Sequence, residues 1–265
     1  MEIKKGMLVT RNSYNNDIVF KVLRVKDGIC YLKGSEVRLL ADAYVEDLNE
    51  YVPTDRGEDD LTGDDKKLVR NELLNAQKND FFFLPAKVLH IDGDSDFLER
   101  CLKFYKEAGI YAIGKKIKED KIYEQLRSLL NEYHPDIIVI TGHDAFFKKN
   151  NDKNDLKNYK NTEYFIRAVK EARKYEMSHE KLVIIAGACQ SDYEALIKAG
   201  ANFASSPKRV NIHALDPAII ATTLATTARD EPIDLIHLLS KTKNGKDGIG
   251  GIQSNGLMYI GYPRE

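Results

Sequence analysis

Short apolar runs alternate with amphipathic segments from residue 87 to the end of the chain. Runs at 88–91, 110–113, 136–140, 182–186 and 201–204 read as strands, and helical spacing marks 96–108, 122–133, 164–175 and 193–199. Fully apolar strands separated by amphipathic helices are typical of a mainly parallel sheet covered on both faces. Right-handed crossovers then predict a doubly wound α/β fold of order 2-1-3-4-5, with a sixth strand offered by 256–261.

Residues 1–52 follow another pattern, with closely spaced apolar and β-branched runs and no helical periodicity. Runs at 7–10, 17–25, 29–32 and 36–40 are separated by tight-turn sequences such as Lys26-Asp27-Gly28. They predict a small SH3-like β-barrel acting as an accessory domain. Residues 53–86 form a charged linker, with a helix expected over 65–77 and an apolar plug at 81–85. The α/β domain then spans 87–265.

The composition narrows the function classes without naming one. The chain has 265 residues, 40 basic against 41 acidic side chains and a net charge of -1, which gives no reason to expect nucleic-acid or membrane partners. Three scattered cysteines are too few for a disulfide framework or a zinc site and favour a reducing compartment. Since no signal-peptide core and no run of ~20 apolar residues is present, we expect a cytoplasmic protein.

Two complementary side chains follow neighbouring strands of the predicted sheet. His143 lies three residues beyond Ile140, and Cys189 lies three residues beyond Ala186. Adjacent strands are ~4.8 Å apart, so the thiol and the imidazole should project from the same rim at equal heights. Cys189 as nucleophile and His143 as base form a pair able to attack a carbonyl, a chemistry that needs no metal or organic cofactor.

Local backbone features favour the same chemistry. Ser191 and Glu194 have the spacing of a capping box, which would start a helix just after Cys189 and favour its thiolate. Backbone N–H groups at Gly142, Cys189 and Gln190 are the candidate donors to an oxyanion.

The same stretch also resembles response-regulator receiver domains, at 88–94, 135–140 and 195–207. However, Thr141 occupies the phosphoacceptor position and Ser206 replaces the expected lysine. A hydroxyl cannot form an acyl phosphate, so we interpret this likeness as one of fold. A receiver-like regulatory or binding module without catalysis remains an alternative.

The His143 and Cys189 blocks resemble those of caspase-like proteases. Thr-Gly-His-Asp precedes Ala-Gly-Ala-Cys-Gln-Ser with 46 residues from histidine to cysteine, against ~50 in caspases. Asp144 departs from the glycine that many members have there. The resemblance implies that the first-strand end lines the pocket for the residue before the cut. Asp92 and Asp94 lie there and would suit an arginine guanidinium, although Asp94 could instead cap a helix.

Most of the chain resembles the YabG family of sporulation-specific proteases, with the matching segments at 34–39, 87–94, 141–145, 186–191 and 199–217. The resemblance implies a cysteine endopeptidase with the pair Cys189 and His143 that cleaves next to arginine. Its implied partners are protein substrates, the precursors of spore-coat and germination proteins, in the developing sporangium or at the spore coat. The alternative from another class is a structural spore-coat protein that docks through its barrel.

Overall fold

The computed structural model describes residues 3–52, 81–147 and 155–262. The chain divides into two compact units, Met1–Asp60 and Leu61–Glu265. The helix expected over 65–77 lies outside the described residues.

The first unit contains a five-stranded antiparallel sheet of order β4-β3-β2-β1-β5. Its strands are β1 (Leu8–Arg11), β2 (Phe20–Lys26), β3 (Ile29–Gly34), β4 (Leu40–Tyr44) and β5 (Leu48–Glu50). Val9, Phe20, Val22, Cys30 and Leu32 are buried in its core, and burial raises the pKa of the Cys30 thiol.

The fourth strand predicted at 36–40 is wrong, because β4 begins only at Leu40. Val37 and Leu39 are buried in a loop instead, and the Gly34 N–H donates to the Leu39 carbonyl across it. The apolar residues that suggested a strand at 36–40 are buried loop residues, and an apolar run alone does not distinguish the two.

The second unit contains a six-stranded sheet of order β12-β11-β10-β9-β7-β8. Its strands are β7 (Val88–Asp92), β8 (Ala112–Lys116), β9 (Ile137–Thr141), β10 (Val183–Ala186), β11 (Phe203–Ser205) and β12 (Ile249–Gly251). The first five pair in parallel in the predicted order 2-1-3-4-5, and β12 pairs antiparallel with β11.

Helices cover both faces of this sheet. They are α1 (Ser95–Glu107), α2 (Glu119–Tyr133), α3 (Thr162–Tyr175), α4 (Tyr193–Ala199), α5 (Asp216–Thr226), α6 (Leu235–Ser240) and the short α7 (Gly245–Gly248). One core joins α1, α5 and α6 to one face, while α2, α3 and α4 pack on the other. Within the described ranges, no helix is long and apolar enough to cross a membrane.

The sixth strand was predicted in the wrong place. Residues 249–251 form β12, whereas β13 (Tyr259–Gly261) pairs with β6 (Phe82–Leu84) in a separate two-stranded sheet. Gly250 and Gly251 lie so close to the rings of Tyr193 and Phe203 that a Cβ at either position would overlap with them. Because glycine carries little strand signal, β12 could not be recognised from its sequence.

The expected apolar plug at 81–85 is also corrected by this pairing. Its central residues form β6, and Phe81, Phe82 and Leu84 are between 40% and 55% exposed. The segment therefore attaches the end of the expected linker to the second unit, as an exposed strand and not as a buried plug.

Arg173 connects four chain segments close to the start of β10. Its guanidinium donates to the carbonyls of Gly200, Glu176, Ser178 and Leu182 and to Asn202 Oδ1. Burial lowers the pKa of Arg173 to about 10, so these acceptors compensate a charge that is partly removed from water.

We expect Arg173→Lys to lower the free energy of unfolding by about 2–4 kcal/mol, because an ammonium cannot reach five acceptors in a planar fork. Urea unfolding measures the loss. The matched control is Lys174→Ala, since the Lys174 side chain is 68% exposed and contacts Glu171; its effect should stay within about 0.5 kcal/mol. Equal effects of the two substitutions would contradict the stabilising role of Arg173.

Candidate active site

The segments carrying His143 and Cys189 leave adjacent parallel strands at the same level. In the ladder between β9 and β10, Ile140 pairs with Ala186. His143 and Cys189 each follow their paired residue by three positions. The backbone therefore brings both blocks to the carboxyl end of the sheet, where ligands bind in open α/β folds.

Hydrogen bonds tie the two segments together beyond the ladder. Thr141 Oγ1 donates to the Gly187 carbonyl over 2.9 Å, and the Phe146 N–H donates to Gln190 Oε1 over 3.2 Å. Thr141 is buried and uses its hydroxyl as a cross-strand link at the position where a receiver domain has its phosphoacceptor.

Asp144 makes the third link. Its Oδ1 accepts from the N–H groups of Ala145 and Asn161, and its Oδ2 accepts from the hydroxyls of Ser191 (2.7 Å) and Thr162. Burial raises the pKa of the Asp144 carboxyl, although all four donors act in the opposite direction. This carboxyl therefore joins the His143 segment, the Cys189 segment and the start of α3.

Two side chains contact the imidazole of His143, and a third accepts from its backbone. Its Nε2 lies 3.0 Å from Asp94 Oδ2, with both side chains only 10% exposed. The ring of Phe97 packs against it at a centroid distance of 5.8 Å. The His143 backbone N–H donates to Glu119 Oε1 over 2.7 Å. His143 therefore lies beyond the carboxyl end of β9, next to that of its neighbour β7, where the order of the strands reverses.

Both acids expected at the first-strand end are engaged in internal contacts. Asp94 is the N-cap of α1, and its Oδ1 accepts from the N–H groups of Asp96 and Phe97. Asp92 has no exposed area; its Oδ1 accepts from the Asp94 N–H, and its Oδ2 lies 3.7 Å from His90 Nε2. The capping alternative for Asp94 is confirmed.

Cys189 is buried beneath the segment that follows β11. Its Sγ accepts from the Ile212 N–H over 3.3 Å and lies 3.7 Å from the Ile212 carbonyl oxygen. The side chain has no exposed area. Residues 206–212, hereafter the covering segment, end in this contact with the sulfur.

Gln190, one of the expected oxyanion donors, belongs to the same arrangement. Its N–H donates to the Val210 carbonyl and to Ser206 Oγ. Its φ of 59° lies in the left-handed region, an uncommon conformation for a residue other than glycine that is often found at functional sites.

The expected capping box is wrong, because Asp192 and not Ser191 caps α4. Asp192 Oδ1 accepts from the Ala195 N–H. Ser191 Oγ instead accepts from the Ala188 N–H and donates to Asp144. The Ser191 hydroxyl is used by Ala188 and Asp144, so it does not cap the helix. Asp192, one residue later, has a carboxylate that reaches the N–H group of Ala195.

Glu194, the expected end of that box, pairs with Arg209 of the covering segment. Arg209 donates to Glu194 over 2.9 Å, to Asp192 over 3.2 Å and to the Tyr159 hydroxyl over 2.8 Å. These contacts attach the covering segment to α4 and to the residues before α3.

Sequence reasoning missed Glu119 and the covering segment as parts of the site. Glu119 begins α2, and its carboxylate fills the space beside Gly93 and Gly142, where a Cβ would overlap with it. The two glycines were a usable signal, because they adjoin the acids of β7 and His143. In the described part of the chain, no group of three or more His, Cys, Asp or Glu side chains could hold a metal ion.

Comparison with known proteins defines the class of this chain, which is a peptidase. The family model described as YabG peptidase U57 matches residues 4–263. The chain is also 38% identical to the sporulation-specific protease YabG of Bacillus subtilis (strain 168), over 289 aligned positions that cover 99% of each protein. The chain therefore belongs to the YabG family of sporulation proteases, as its sequence blocks predicted.

Proposed function

We propose that the chain is a cysteine endopeptidase in which Cys189 is the nucleophile and His143 the general base. The observation that carries the proposal is the equal register of the two residues beyond Ile140 and Ala186 on adjacent parallel strands. Three hydrogen bonds between the segments hold that register in place. No other cysteine lies at the carboxyl end of this sheet in the described ranges: Cys101 is buried within α1, and Cys30 belongs to the first unit.

The proposed mechanism has two proton-balanced stages. The Cys189 thiol gives its proton to the imidazole of His143, and the sulfur attacks the scissile carbonyl. His143 then returns the proton to the leaving amine as the C–N bond breaks, which leaves a thioester on Cys189. Water, deprotonated by His143, attacks the thioester and releases the acid and the thiol.

The oxyanion of each tetrahedral intermediate would be bound by backbone N–H groups at Gly142, Cys189 and Gln190. The Gln190 N–H donates to Val210 and Ser206 in the resting structure. Its use as an oxyanion donor therefore requires the covering segment to move, the same motion that exposes the sulfur.

Cleavage next to arginine is part of the proposal. Three carboxylates, Asp92, Asp94 and Glu119, lie near His143 and create a field that favours a cationic side chain. Of the two acids expected in the pocket, Asp92 remains the proposed one; it is fully buried and would act on a guanidinium through its charge or after rearrangement. Asp94 adds only its charge to this field, because its two carboxylate oxygens already contact the start of α1 and the ring of His143.

The biological setting follows from the family. We propose that the substrates are precursors of spore-coat and germination proteins and that the chain acts in the developing sporangium or at the spore coat. The two units are proposed to be a caspase-like peptidase domain and an SH3-like barrel, supported respectively by the parallel order 2-1-3-4-5 and by the antiparallel order β4-β3-β2-β1-β5.

The proposed activity is tested with a fluorogenic arginyl peptide, with matched lysyl and alanyl peptides for comparison. We expect hydrolysis of the arginyl peptide to be fastest and to disappear after iodoacetamide treatment. Hydrolysis that resists complete alkylation of Cys189 would overturn the thiol mechanism. Equal rates on all three peptides would remove only the arginine preference.

Releasing the covering segment should expose the nucleophile. We expect Arg209→Ala to raise the rate of Cys189 alkylation by about tenfold, which corresponds to ~1.4 kcal/mol for a partly buried ion-pair cluster. Peptide mapping by mass spectrometry after timed iodoacetamide exposure gives the rate at each cysteine. Lys208→Ala is the matched control, since the exposed Lys208 side chain precedes Arg209. An unchanged alkylation rate in Arg209→Ala would contradict the claim that the contacts of Arg209 hold the covering segment over Cys189.

A further inference from the structure

We propose that Asp94 is a positioning residue that orients the imidazole of His143 and compensates its positive charge during the reaction. The observation is the 3.0 Å contact between His143 Nε2 and Asp94 Oδ2, two side chains that are each only 10% exposed. The inference rests on the proposed function and assigns Asp94 a task other than binding substrate.

The contact determines which ring nitrogen can act as the base. An ionised carboxylate only accepts hydrogen bonds, so Nε2 carries the proton that points to Asp94. Nδ1 is then the basic nitrogen and takes the proton of the Cys189 thiol. A carboxylate behind an imidazole both selects the tautomer and stabilises the imidazolium that forms in the transition state.

Asp94 is itself rigidly held, which a positioning residue requires. Its Oδ1 accepts from the N–H groups of Asp96 and Phe97 at the start of α1, and its own N–H donates to Asp92 Oδ1. One carboxylate oxygen is thus used by the helix and the other by His143. The ring of Phe97 supports the imidazole from the side, so a single helix turn provides both the acid and the packing surface.

Other charged groups around His143 approach it differently. Glu119 of α2 accepts from the His143 backbone N–H, and Asp92 of β7 contacts the backbone of Asp94. Asp94, by contrast, brings a carboxylate oxygen to within 3.0 Å of the imidazole ring itself.

Because one oxygen of Asp94 caps α1 and the other contacts His143, substitutions can remove the contact with His143 and keep the cap. Asp94→Ser keeps an N-cap acceptor but is too short to reach His143, and Asp94→Asn keeps both size and cap while removing the charge. Asp234→Ser is the matched control, because Asp234 caps α6 by accepting from the His237 N–H at 3.0 Å.

We expect Asp94→Ser and Asp94→Asn to lower kcat by about 100-fold or more with little change in KM, since the substrate is bound but the base is misoriented. Thermal unfolding of Asp94→Ser should match that of Asp234→Ser, because both substitutions shorten the N-cap of a helix in the same way. In proton NMR of the Cys189→Ala chain, a hydrogen-bonded ring N–H resonance, assigned by its loss in His143→Gln, should disappear with either Asp94 substitution.

Retention of kcat within about threefold in Asp94→Asn would overturn the inference and leave Asp94 as a helix cap. Persistence of the ring N–H resonance in that variant would overturn it equally. Failure of the proposed function looks different, because Cys189→Ala would then keep its hydrolytic activity whatever residue stands at position 94.

Discussion

Replacing Cys189 with alanine should reduce peptide hydrolysis by about 10³-fold or more, because the substrate carbonyl then has no nucleophile to attack. The fold should survive, since the side chain is small and its hydrogen bonds to Ile212 are weak sulfur contacts. The measurement is kcat/KM on a peptide that the wild type hydrolyses, together with the urea unfolding midpoint. A large loss of activity without a comparable loss of stability is the expected result.

The chain provides its own control for this substitution. Cys101 is also fully buried, and its sulfur donates to the Ala214 carbonyl over 3.4 Å, but it lies within α1. Cys101→Ala should keep activity within about twofold per folded molecule while losing a little stability. If Cys101→Ala and Cys189→Ala lost activity equally, the effect of Cys189 would be one of packing.

Asp144→Ala should be the most destabilising single change near the site. It removes the acceptor of four hydrogen bonds and leaves the N–H groups of Ala145 and Asn161 and two hydroxyls without their carboxylate. Each unsatisfied buried donor costs about 1–3 kcal/mol, so we expect a loss of about 3 kcal/mol or more in urea unfolding. Hydrolysis should fall as well, because the His143 and Cys189 segments lose their common link.

Asp144→Asn is the matched variant for this prediction. Its Oδ1 can still accept from the two backbone N–H groups, and its Nδ2 can donate to the hydroxyls of Thr162 and Ser191 once these rotate. Burial raises the pKa of the Asp144 carboxyl because it disfavours the charged form, and a neutral amide avoids that desolvation cost. We expect a loss below about 1 kcal/mol for Asn. A loss as large as that of Ala would show that the charge, and not the hydrogen bonds, is essential.

The part of the fold that was predictable is the part with strong local patterning. The apolar strands β7, β9 and β10 and the amphipathic helices between them determined the order 2-1-3-4-5 and the apposition of the His143 and Cys189 segments. β12 was missed because it contains two glycines, which carry little strand signal. They are needed there because the rings of Tyr193 and Phe203 leave no room for a Cβ.

The contacts of the site were less predictable than its position. The sequence placed Asp94 near a helix start, but only the folded chain brings its second oxygen to His143, 49 residues away. The burial of Cys189 depends on Ile212, 23 residues further along, and on the Arg209 contacts that hold the covering segment. Such long-range side-chain contacts have no periodic signature, so the covering segment was expected only as part of a family block.

The most direct test of the central claim is to trap the acyl-enzyme. The wild-type chain is mixed with a peptide ester that it hydrolyses, and the reaction is quenched in acid within one turnover. The masses of the cysteine-containing peptides are then measured by mass spectrometry. We expect the mass of the acyl group on the peptide that contains Cys189, and its absence in His143→Ala quenched at the same time. Turnover of the ester with an acyl group on another residue, or with none at all on Cys189, would contradict the account.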